Sequence, residues 1–250
     1  RDLDLMGEVS ARTGFNIIAA TGLYSEHMGT NAYWRIKSRL SDDFVDRLAD
    51  LMIAELKTGA RNGVRAGVIK LATGTGGITD YERKVFAAGA RAALATGAPI
   101  TTHTEGVLGD AQLALLASHG VPAHRVIIGH SCQSTDHGCL DGLVAAGAWL
   151  GFDRFGIEDI CSDEQRVASL LRLWRAGAGP QLILSQDTVW CLRGAMLPSA
   201  MMVRINSTHE PLRIERSILP RLREAGLGDA DFDALLIGNP RRYFAGPSHA

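Results

Sequence analysis

Two rhythms of apolar residues alternate along the chain. Short runs rich in Val, Ile and Leu recur at 15–22 (FNIIAATG), 66–74 (AGVIKLATG), 98–104 (APITTHT), 125–131 (RVIIGHS), 148–153 (AWLGFD) and 181–187 (QLILSQD). Their near-continuous apolar character suits strands covered on both faces, as in a parallel sheet. Longer stretches with helical spacing lie between them. In 41–59, Phe44, Leu48, Leu51 and Met52 fall on one face, behind Ser41 as N-cap. Thr79 with Glu82, and Ser162 with Gln165, have capping-box spacing and predict helices over 79–96 and 162–177. Further helices are predicted over 110–120, stopped by Gly120, and over 136–147, opened by Asp136.

Strand–helix alternation without a Ser/Pro-rich linker predicts one α/β domain over 1–250 with a parallel sheet. Such sheets are either open and doubly wound or closed as a (β/α)8 TIM barrel. The best candidate for a nucleotide fingerprint, GTGGIT at 74–79, has Thr79 where G-x-G-x-x-G needs its last glycine, and no Gly-Lys-Ser/Thr follows. A turn at a strand end accounts for those glycines.

Composition narrows the function classes. The net charge of -1 gives no electrostatic footprint for nucleic acid or a membrane surface. No apolar run approaches the roughly 18 residues that span a bilayer. Cys132, Cys139, Cys161 and Cys191 form no CxxC pair and read as free thiols of a cytoplasmic protein.

The candidate chemistry sits at strand ends. Lys70 interrupts an apolar strand near its C-terminal end, where an unpaired ammonium is costly. His103, His130 and Asp187 end three other strands. A barrel gathers the C-terminal ends of its strands at one mouth, where catalytic residues collect. Imidazoles and a carboxylate are ligands for zinc and related divalent ions. A lysine joins such a set once its amine is carboxylated to a carbamate, an anion able to bridge two metals. A Schiff-base lysine is the competing use of Lys70.

In this order the motifs GVIKLATG, APITTHT, RVIIGHS, GFDRFG, LILSQD and NPRRYFAG resemble those of the phosphotriesterase family of the amidohydrolase superfamily, including its lactonase-like branch. The resemblance runs over nearly the whole chain. It implies a metal-dependent barrel hydrolase with two divalent ions, zinc first, with cobalt, manganese or iron as alternatives. It casts Lys70 as the carbamylated bridging ligand and His103 and His130 as ligands of the outer ion. Asp187 becomes the ligand of the inner ion and the acceptor of a proton from the bridging hydroxide. Arg154, in GFDRFG, and Tyr24 are expected to line the substrate pocket. The implied substrates are lactones and carboxylic esters, with phosphotriester cleavage as a side activity; the implied assembly is a homodimer.

The family's His-x-His pair on the first strand has no counterpart in these 250 residues. The resemblance therefore aligns the chain with strands three to eight, the first two βα units being absent. That departure leaves a rival reading, a degenerate barrel that binds ligand without turnover, beside the Schiff-base aldolase. The remaining histidines are expected to serve surface or supporting roles, and Cys132 to be a buried thiol. The Met-rich stretch from Thr188 to Glu210 is expected over the mouth of the barrel.

Overall fold

The computed structural model describes residues 3–188, 203 and 210–245. Its centre is a six-stranded sheet: β1 (Ala20–Thr21), β2 (Val68–Lys70), β3 (Ile100–Thr101), β4 (Val126–Ile128), β5 (Trp149–Phe152) and β6 (Leu182–Leu184). Each strand pairs in parallel with the next in sequence, so the order is β1-β2-β3-β4-β5-β6. A doubly wound sheet reverses direction part-way through its order. This one does not, which is the arrangement of a (β/α) barrel wall.

Period-two alternation gives each strand two faces. Ile69, Ile100, Val126, Ile128, Leu150, Phe152, Leu182 and Leu184 join the main core with the helices. Ile127, Trp149 and Ile183 point the other way and form a small second cluster closed by Tyr243. Tyr243 lies in the C-terminal helix Asn239–Ala245, and its hydroxyl donates to the carbonyl of Ile100 at 2.5 Å. That bond ties the end of the described chain to the middle of the sheet.

The helices follow local signals. α1 (Leu3–Thr13) precedes β1 and α2 (Ala32–Leu40) follows it, while α3 (Phe44–Lys57) buries Phe44, Leu48, Met52 and Leu56 at helical spacing. α4 (Asp80–Thr96) opens with the Thr79–Glu82 capping box and stops at Gly97, whose φ of 73° is left-handed. α5 (Gly109–Ser118) and α6 (His137–Ala145) follow, and Asp136 caps α6 as expected. α7 (Asp163–Leu173) carries the Ser162–Gln165 capping box. Among the described residues no helix is long and apolar enough to cross a membrane.

Three expectations need correcting. The run 15–22 is strand only at Ala20–Thr21, the residues that pair with Val68 and Ile69 of β2. The helix expected over 41–59 starts at Phe44. Ser41 instead ends α2, a short amphipathic helix capped by Asn31 that was not predicted from the sequence. The helix expected over 162–177 loses regular α geometry after Leu173, before Gly177 turns left-handed with φ 87°.

Candidate metal centre

Lys70 is the last residue of β2, on the same face as Val68. Its Nζ donates to the carbonyl of Thr102 at 2.6 Å. Burial pushes its pKa below the ordinary lysine value, against the opposing charges of Asp153 and Asp187. The neutral amine thus favoured is the form that carbon dioxide can carboxylate. The chain leaving β1 crosses tightly over this residue: a Cβ on Gly22 (φ 119°) would lie 1.9 Å from the Lys70 carbonyl oxygen. That crossing leads to Tyr24.

His103 and His130 meet edge to face, with ring centroids 4.5 Å apart. His103 Nδ1 lies 2.8 Å from His130 Nε2 and 2.6 Å from the Tyr24 hydroxyl. The far nitrogen of each ring faces a carboxylate. His103 Nε2 is 2.7 Å from Glu105 Oε1, and His130 Nδ1 is 2.8 Å from Asp153 Oδ1. Ionised carboxylates only accept, so each can take a ring proton from the nitrogen that faces it. The two inner nitrogens, His103 Nδ1 and His130 Nε2, face each other. Burial and the neighbouring His130 push His103 down to about 3, against the pull of Glu105, so this ring is neutral over the ordinary pH range.

Asp153 also accepts the backbone N–H of His130, at 2.9 Å. Burial alone would raise its carboxyl. His130 and Lys70 outweigh burial and hold it below the usual range. His130 itself takes a left-handed backbone, φ 60°, and so does Asp187, φ 50°.

Arg154 binds the rest together. Its Nε donates to Asp187 Oδ2 at 3.1 Å, and its Nη1 to Glu105 Oε2 at 3.1 Å and Gln133 Oε1 at 2.7 Å. Burial would lower its pKa, but Asp187 and Glu105 win and raise it. Tyr24 and Lys70 line one cavity of about 550 Å³ with Asn31 and Trp34.

A phosphotriesterase family profile matches residues 1–244. The chain belongs to the phosphotriesterase family. It is 34% identical over 247 residues to the phosphotriesterase homology protein of Mycobacterium tuberculosis, covering 98% of this chain and 75% of that one. The organophosphorus hydrolase of Deinococcus radiodurans superposes with a TM-score of 0.88 at 36% identity, covering 98% of this chain and 75% of that chain. A mutant of the phosphotriesterase-like lactonase from the same organism gives a TM-score of 0.85 at 36% identity, covering 95% of this chain and 75% of that one.

Within this phosphotriesterase-family chain, Tyr24, Lys70, His103, His130, Arg154 and Asp187 lie at one end of the sheet, and all but Lys70 are linked by the hydrogen bonds above. Among the described residues no three His, Cys, Asp or Glu side chains are grouped as a metal site. Two nitrogens on one zinc ion at about 2.0–2.1 Å stand about 3.4 Å apart in a tetrahedral site, wider than the 2.8 Å between His103 Nδ1 and His130 Nε2, so the two rings would have to part to admit a cation.

Sequence reasoning missed Asp153 and Glu105. Asp153 ends its strand just as the other candidates do, and Glu105 stands two residues after His103, so both had a positional signal. Arg154, expected to line the substrate pocket, directs its hydrogen-bond donors to side chains of the protein. Cys132 is buried, and burial pushes its thiol up to about 12, as a structural thiol requires. The Met-rich stretch after Thr188 lies outside the described residues, apart from Val203 and Glu210.

Proposed function

We propose that this chain is a metal-dependent hydrolase that cleaves lactones and carboxylic esters, with phosphotriesters as slower substrates. The observation that carries the reading is the close approach of two ring nitrogens, His103 Nδ1 and His130 Nε2. They converge between two bracing carboxylates, with Lys70 on the strand next to that of His103. Carboxylates behind metal-binding imidazoles fix their tautomers and raise their basicity. The family context and the lactonase neighbour support the substrate class.

His103, His130, Asp187 and carboxylated Lys70 would hold divalent ions, which supply Lewis acidity toward the electrophile and lower the pKa of water. Asp187 presents a carboxylate that accepts the proton of the attacking water on an Oδ atom. Arg154 keeps that carboxylate oriented through Nε. Tyr24, next to the cavity lined by Asn31 and Trp34, borders the space for substrate.

The test is kcat/KM for a lactone series, an aryl ester, an N-acyl amide and an aryl phosphotriester, with metal content measured on the same sample. Lactones are expected to lead. Lys70→Ala should lose metal and activity, with partial rescue by a short-chain carboxylate plus metal. A phosphotriester preferred a hundredfold over every lactone would overturn the substrate assignment. Full metal occupancy and turnover in Lys70→Ala would overturn the carbamate. The lowered pKa of Lys70 also favours a Schiff base, but that chemistry leaves the imidazole pair unused. Borohydride trapping of a carbonyl substrate on Lys70 would establish it.

A further inference from the structure

Glu105 takes no part in the chemistry proposed above, yet both its oxygens are committed inside the site. Oε1 accepts from His103 Nε2 at 2.7 Å and Oε2 from Arg154 Nη1 at 3.1 Å. Its loop is stitched down on either side. Thr104 Oγ1 donates to the Gly129 carbonyl at 2.8 Å, and the Gly106 N–H returns to Thr104 Oγ1 at 3.2 Å. Gln112 Nε2 donates to the His103 carbonyl at 2.8 Å, fixing the residue whose ring Glu105 meets.

His103 has two neutral tautomers to choose from. With the proton on Nδ1, it would donate to His130 Nε2 across the 2.8 Å contact and satisfy the imidazole pair without any cation. With the proton on Nε2, it donates to Glu105 and leaves Nδ1 as a lone pair, which the Tyr24 hydroxyl reaches as a donor at 2.6 Å. A hydrogen bond to an ionised carboxylate is roughly twice as strong as a neutral one, and the Nδ1–H form would also turn the Nε2 lone pair toward that carboxylate.

We propose that Glu105 is a positioning residue: it holds His103 as the Nε2–H tautomer, so that Nδ1 faces His130 Nε2 as a lone pair, and it couples this ring through Arg154 to Asp187. The use of that lone pair rests on the metal-hydrolase reading, but the tautomer does not.

The test uses the metal-free chain labelled with 15N-histidine. Two-bond 1H–15N correlation spectra identify the tautomer, and His103 is assigned by its loss in His103→Gln. The wild type should show Nε2–H at His103. Glu105→Gln should keep it, because the amide oxygen still accepts. Glu105→Leu should move it toward Nδ1–H and weaken zinc binding, measured by competition with a chromophoric chelator, about 10–100-fold. Nδ1–H in the wild type would overturn the proposal, as would a Glu105→Leu chain with wild-type tautomer or wild-type zinc affinity. If Glu105→Leu does not fold, the wild-type spectrum decides. A wild type that shows the expected tautomers but binds no zinc would defeat the metal reading and leave the role of Glu105 intact.

Discussion

His130 offers Asp153 two hydrogen bonds, one from Nδ1 at 2.8 Å and one from its own backbone N–H at 2.9 Å. A single carboxylate thus fixes both the ring proton and the backbone of that residue. Asp153→Ala should weaken zinc binding about 10–100-fold, as removal of such partners does elsewhere. Asp153→Asn should weaken it less, since the amide oxygen still accepts from Nδ1. Equal zinc affinity in Asp153→Ala and wild type would count against the arrangement.

Arg154 joins two carboxylates with separate nitrogens, Nε to Asp187 and Nη1 to Glu105. Arg154→Ala should lower lactone kcat/KM at least about tenfold, the scale of one lost donor at a reacting centre. If Arg154 acts through Asp187, the loss falls in kcat; if it binds substrate directly, KM rises as well. Arg154→Lys should not restore activity, because one ammonium cannot reproduce the planar fork.

Asp163 is fully buried and accepts from Arg166 Nη1, Arg213 Nε and the Gly156 N–H, each at 2.9 Å. It anchors the loop that follows Arg154. Asp163→Ala leaves the buried Arg166 guanidinium without its carboxylate and should cost about 3–5 kcal/mol of stability in urea unfolding. A loss below about 1 kcal/mol would mean that the loop has other anchors.

The stability of the metal-free chain should depend on pH through His103. Its folded pKa is held near 3, first by burial and then by His130, whereas an unfolded histidine titrates near 6.5. Between those values the unfolded chain binds a proton that the folded chain does not. This contribution is complete above about pH 6.5 and is lost as pH falls toward 3, by up to about 1.4 kcal/mol per pH unit. Urea unfolding of wild type and His103→Gln across this range checks it. Parallel curves would refute the assignment.

Much of the fold was legible because burial on both faces writes continuous apolar runs, and because Thr79–Glu82 and Ser162–Gln165 mark helix starts locally. Lys70, His103, His130 and Asp187 stood out as polar residues at the ends of such runs. α2 did not, although its nine residues are amphipathic and Asn31 caps it; its shortness let it pass as a loop beside the longer helices. Glu105 and Asp153 were not singled out because a carboxylate after a strand is ordinary until the fold turns an imidazole toward it. The partners of Arg154 were hidden for a related reason: sequence locates its Cα, while the reach of a long side chain depends on which carboxylates the fold brings near.

His130 and Asp187 both hold left-handed backbones, with φ of 60° and 50°. For residues with a Cβ that conformation costs roughly 1–2 kcal/mol each. Glycine at either position would relieve that strain but would strip Asp153 of the His130 ring or Arg154 of the Asp187 carboxylate. The strain and the contacts are therefore tied to the same two residues, and the first cannot be relieved without losing the second.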